Sequence, residues 1–95
     1  MAIKSEISWR RHNAEGEKVE VYARRHGGDW KFHERPGRHD DWQPIAKPTL
    51  DDWLTLLDAV QRRVPRRLYQ PDEVHRIRQA IRDRFPEAEL PAASV

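Results

Sequence analysis

Eight arginines fall between Arg62 and Arg84 against three acidic residues, and this is where the chain concentrates groups able to do chemistry. A guanidinium stays charged at any physiological pH and presents a planar fork of donors, so a set of them suits phosphate or carboxylate. Arg66 and Arg67 are adjacent, while His75, Arg78 and Arg82 recur at intervals of three and four, one flank of a helix. Arg76 has Asp72 one turn earlier, but Arg78 and Arg82 have no acidic residue three or four positions away. They also form a like-charged i,i+4 pair, unfavourable by about 0.2–0.5 kcal/mol. Two arrangements account for such a flank. Either it faces an anionic partner, or a neighbouring antiparallel helix neutralises it, with Asp58 approaching Arg78 and Asp51 approaching Arg82. The second explains both charge stripes at once and is the expected one.

A second basic group belongs to the N-terminal half. Arg10, His12, Tyr22, Arg24, His26, Lys31, His33 and Arg35 fall on one face of the sheet predicted below. A basic face carrying an aromatic can follow a nucleic-acid backbone. In the same register Glu20 falls between Arg10 and Arg35, and Glu6 lies across from Arg24, itself a neighbour of Lys31. Cross-strand pairs of this kind are ordinary sheet stabilisation, worth about 0.2–1 kcal/mol each, and self-pairing is the expected state of this face.

Catalytic patterns are missing. The sequence has no glycine-rich phosphate loop and no nucleophile beside a base, and helix capping explains Asp51-Asp52. The five histidines do not fall at zinc spacings. His39 with Asp40 and Asp41 reads as a solvated loop rather than a metal site, which would need further ligands in fixed geometry. The expectation is a protein that is not an enzyme and takes no cofactor or metal.

The elements that position these groups follow from periodicity. Ile3 to Arg11 alternates, with Ile3, Ile7 and Trp9 on one side, which predicts a half-buried strand. Asn13-Ala14-Glu15-Gly16 is a turn in which Gly16 suits a left-handed position. Val19, Val21 and Ala23 line the apolar side of a second strand. Gly27-Gly28 makes a two-residue hairpin, and Trp30 and Phe32 mark a third strand. A three-residue loop at Ala14–Gly16 sets Trp9 opposite Val21 and Ile7 opposite Ala23. A two-residue loop at Gly27-Gly28 sets Ala23 opposite Phe32 and Arg25 opposite Trp30. Both turns independently place Ile7, Trp9, Val21, Ala23 and Phe32 on one face, whereas a slip of one residue would scatter them.

Pro36-Gly37 predicts a type II turn. Trp42 to Ile45 has the length of a short fourth strand, which Pro44 restricts to an edge or an irregular crossover. From Thr49 to Val64, Leu50, Trp53, Leu54, Leu57, Val60 and Val64 recur on one helix face. Thr49 is placed to cap it, with Asp51 and Asp52 at the positive end of its dipole and Arg62 and Arg63 at the negative end. Pro65 ends this helix and Arg66 to Tyr69 connects. A second helix opens at Pro71 and carries Val74, Ile77, Ile81 and Phe85 before Pro86 stops it.

The fold class expected is α+β: a three-stranded antiparallel meander with two C-terminal helices packed on one face, as one domain over residues 1–86. Residues 87–95 read as a flexible tail. Trp9, Trp30, Trp42 and Trp53 are expected to supply the bulk of a shared core, since aromatics bury so much area.

Composition bounds the function. Apolar residues at 37% and charged residues at 36% describe a folded, highly soluble protein, and cysteine is absent. No apolar run suggests a signal peptide or a membrane span, so the cytoplasm is the default location and a membrane is not an expected partner. A net charge of +2 is too small to imply nucleic acid by itself. Its placement favours a small nucleic-acid-binding module with Arg66, Arg67, His75, Arg78, Arg82, Arg24 and Lys31 as contacts. The alternative is an accessory domain that meets an acidic protein or a second copy of itself, as a monomer or weak homodimer.

Overall fold

Alternation of apolar and polar residues, punctuated by two glycine turns, lays down the first half of the chain. The computed structural model describes residues 6–91; Ile3, assigned above to the first strand, and the end of the tail lie outside them. The chain divides into two compact units, Met1–Pro48 and Thr49–Val95. Together they contain an antiparallel sheet and two helices, an α+β fold.

The first unit is a four-stranded sheet in the order β1-β2-β3-β4, formed by β1 (Glu6–His12), β2 (Lys18–His26), β3 (Asp29–Arg35) and β4 (Gln43–Pro44). Its register is the expected one: Ile7 pairs with Ala23, Trp9 with Val21, Ala23 with Phe32 and Arg25 with Trp30. The turns explain why. Asn13 Oδ1 accepts from the amides of Glu15 and Glu17 at 3.0 and 2.9 Å, and Gly16 takes φ +82° to close the loop. Gly27 takes φ +67° at the first central position of the second hairpin, where a side chain would be strained. With register set, Ile7, Val19, Val21, Ala23, Trp30 and Phe32 are all buried. Trp9 meets Phe32 edge to face at 6.1 Å on the same side. Arg11 and Glu34 pair at 3.8 Å where the apolar row ends.

Two expectations in this unit need correction. The turn after β3 is not at Pro36-Gly37: Gly37 does not take a positive φ, and its carbonyl accepts from the Asp40 amide at 3.0 Å, so the turn is centred on Arg38 and His39. A Cβ at Gly37 would come within 2.8 Å of Asp40 Oδ2, the end of an exposed side chain that can turn aside, so the position does not demand glycine. The second correction concerns Trp42. β4 is an edge strand that pairs Pro44 with His33 and Gln43 with Glu34. Continued by one residue, this register sets Trp42 across from Arg35, on the polar side of the sheet. Trp42 therefore does not join Trp9 and Trp30 on the apolar side.

The second unit holds α1 (Leu50–Arg63) and α2 (Pro71–Arg84). Thr49 Oγ1 accepts from the Asp52 amide at 3.1 Å, the expected cap. The buried stripe of α1 is rotated from the expected one: Leu56 and Ala59 are buried with Trp53, Leu57 and Val60, whereas Leu54 is only half-buried. Asp52 is buried as well. On α2, Val74, Ile77 and Ile81 are fully buried as expected, and Phe85 is half-buried at the C-cap. Arg84 lays its guanidinium over Trp53, 4.9 Å from the ring centroid, and so ties the two helices.

The connection between the helices carries a strained residue. The Leu68 amide donates to the Arg63 carbonyl at 3.1 Å and the Arg67 amide to the Val64 carbonyl at 2.9 Å. This is a Schellman closure, with Arg67 in the left-handed position at φ +60°. Glycine is the usual occupant because it has no Cβ to clash. Arg67→Gly is therefore expected to raise stability by about 0.5–1 kcal/mol, read as a higher urea midpoint with unchanged slope.

Candidate nucleic-acid interface

Because successive side chains on a strand point to opposite faces, burial of Val19, Val21 and Ala23 sends Glu20, Tyr22, Arg24 and His26 to the other side. Register then arranges that side in rows. Ser8, Tyr22 and His33 form one row, Glu6, Arg24 and Lys31 a second, and Arg10, Glu20 and Arg35 a third. Arg24 pairs with Glu6 at 2.9 Å and Arg35 with Glu20 at 3.2 Å, so the expected cross-strand pairing is real for these two. Such half-exposed pairs contribute little net stability, about 0–1 kcal/mol each, and they leave Lys31 without an acidic partner among the described residues.

Aromatic packing distinguishes this face from a merely solvated one. Tyr22 stacks on His33 with ring centroids 4.8 Å apart and planes within 11°. Trp42 meets Tyr22 edge-on at 4.6 Å, and the Arg35 guanidinium lies 4.4 Å from the Trp42 ring centroid. Arg24 lies 5.6 Å from the Tyr22 ring. Three rings and two guanidiniums thus form one continuous, half-exposed cluster on the polar face. Beside it, Tyr22, Arg24, His26, Lys31 and His33 line a shallow depression of about 230 Å³. Arg24 Nε and His33 Nδ1 are buried there without a hydrogen-bond partner in the protein, which ordinarily costs about 1–3 kcal/mol per group.

The arginines of the second unit are arranged differently from the expectation. Asp58 pairs with Arg62 on its own helix at 3.1 Å and not with Arg78. Arg78 instead donates through Nη1 to the Pro91 carbonyl. Arg82 is not engaged by Asp51, nor Arg76 by Asp72, among the described residues. A carbonyl is neutral, so Arg78 keeps its full charge. His75, Arg78 and Arg82 do share one flank of α2, with His75 and Arg82 exposed and Arg78 half-buried. Arg66 and Arg67 are exposed but precede α2, while Arg82 lies eleven residues into it, roughly 16 Å along the axis. The second unit therefore presents a line of cations rather than one cluster.

Of the residues expected to make contacts, Arg24 and Lys31 are brought together as cross-strand neighbours. Tyr22, His33 and Arg35 lie on the polar face expected for them, whereas Trp42, expected in the core, joins them there. Its signal was parity: pairing of Trp42 with Arg35 follows once β4 is placed against β3. Among the described residues no group of three or more His, Asp or Glu side chains is placed to hold a metal, and no helix is long and apolar enough to cross a membrane. No family model, curated protein or solved structure matches this chain, which leaves the chemistry of these surfaces as the ground for its function.

Proposed function

We propose that the protein is a small, non-enzymatic nucleic-acid-binding module whose main contact surface is the polar face of the sheet. The observation that carries this reading is the half-exposed Tyr22–His33–Trp42 cluster flanked by Arg24, Arg35 and Lys31. Aromatic rings accept unstacked bases and the adjoining cations accept phosphates, a pairing of functions that suits single strands. A duplex keeps its bases inside and offers such a surface only its backbone. Arg66, Arg67, His75, Arg78 and Arg82 supply further phosphate contacts from the second unit, and these carry no sequence information.

The test is fluorescence anisotropy with single-stranded and duplex oligonucleotides across a salt series. Two to four phosphate contacts on the sheet face alone predict an affinity that falls roughly 7- to 50-fold between 50 and 200 mM salt, and each contact added by the second unit steepens the fall. Single strands are expected to bind more tightly than duplex of the same sequence. Absence of any binding at 50 mM salt would refute the reading.

A second reading, an accessory domain for an acidic protein segment, is favoured by one observation. Among the described strands β1 pairs only with β2, so its outer edge has no strand partner. Arg10, Arg11 and His12 lie along it, and an extended acidic segment could add there as a further strand.

A further inference from the structure

We infer that the depression lined by Tyr22, Arg24, His26, Lys31 and His33 is a subsite for one nucleotide unit, seating its phosphate on the cation row and its base on the aromatic row; this rests on the nucleic-acid reading above in taking that unit as part of a strand. Register carries the assignment. Tyr22 pairs with His33 and Arg24 pairs with Lys31, so the two rows are successive same-face positions along β2 and β3. Same-face positions on a strand are separated by about 7 Å, the scale on which a nucleotide's base and phosphate are offset from one another. The depression of about 230 Å³ is on the scale of a phosphate ester and its sugar.

The polar groups around it fit an anion. Lys31 and His26 are exposed, and Lys31 meets no carboxylate among the described residues. Arg24 is held from the far side by Glu6 at 2.9 Å, which fixes the guanidinium on the row. Two carboxylates are near, Glu6 on Arg24 and Asp29 across from His26, and neither pairs with Lys31. Lys31 is thus the cation most available to a phosphate, with Arg24 beside it and the Tyr22–His33 stack one row away. The same chemistry has two sources, a free mononucleotide or a nucleotide within a strand.

The experiment is a heteronuclear NMR titration of the whole chain with thymidine 5′-monophosphate, thymidine, inorganic phosphate and an eight-residue thymidine oligonucleotide at low salt. The monophosphate is expected to shift the signals of Lys31, Arg24 and His26, and to bind at least ten-fold more tightly than thymidine or phosphate alone. Lys31→Ala, at an exposed position, is expected to weaken the monophosphate at least five-fold with the rest of the spectrum unchanged. Equal binding of thymidine and its monophosphate would overturn the phosphate seat. Equal binding of phosphate and the monophosphate would overturn the base platform. If the oligonucleotide binds but Lys31→Ala and Arg24→Ala bind it as the wild type does, the subsite falls and the nucleic-acid reading stands. If the monophosphate binds through Lys31 and the oligonucleotide does not bind, the nucleotide site stands with the free nucleotide as its source and the nucleic-acid reading falls. Binding of none of the four probes overturns both.

Discussion

Replacing Tyr22 by alanine is expected to weaken binding of a single-stranded oligonucleotide by about 5- to 150-fold at 50 mM salt, since loss of one base–aromatic stack costs about 1–3 kcal/mol. Tyr22 stands at the centre of the cluster: its ring lies against His33, perpendicular to Trp42 and 5.6 Å from Arg24. Its removal therefore takes away one platform and loosens two others. Tyr22→Phe restores most of the loss, because the ring and its stacking survive without the hydroxyl. The pair separates a stacking role from a merely cationic one. A purely electrostatic surface would be indifferent to Tyr22→Ala and would respond only to salt. Anisotropy titrations of both variants, with far-UV circular dichroism to confirm the fold, decide between them.

The second large effect is on stability. Leu57→Ala is expected to lower the unfolding free energy by about 2–5 kcal/mol, the transfer free energy of the lost atoms plus the cavity left behind. Leu57 and Leu56 are fully buried on α1, while Leu54, three residues before Leu57, is only half-buried. Leu54→Ala should accordingly cost much less, about 1 kcal/mol. For a chain of 95 residues the whole stability is only about 5–14 kcal/mol, so the first substitution removes a large share of it. Urea midpoints for the two variants measure the difference directly. Equal midpoints would mean that the apolar stripe of α1 is centred where the heptad-like spacing alone puts it, and not where the structure does.

How much of this was legible in the sequence depends on whether an element is set by local or distant groups. The register of β1, β2 and β3 was fully readable, because two short loops with glycine at the positions that need it leave no freedom of offset. The position of Trp42 was not, because the segment after Arg35 is no tight hairpin and Pro36-Gly37 points to the wrong turn. Only the pairing of Pro44 with His33 reveals on which face Trp42 lies. The rotation of the α1 stripe was hidden for a similar reason. Apolar residues surround much of that helix, so spacing alone cannot choose between Leu54 and Leu56. Asp58 pairs with Arg62, one turn along its own helix, and not with Arg78 on the other. A local i,i+4 contact needs no tertiary arrangement and so forms ahead of one across helices.

The meander has a consequence for how the chain reaches its native state. Every strand of the sheet hydrogen-bonds to its immediate neighbour in sequence, and the first two connections span only three and two residues. No segment must wait for a remote one to arrive, so each hairpin can zip from its own turn on the order of microseconds. Gly16 and Gly27, with the amide-accepting side chain of Asn13, are where that zipping begins, and substitutions there would slow assembly of the sheet more than equally destabilising changes at the strand ends.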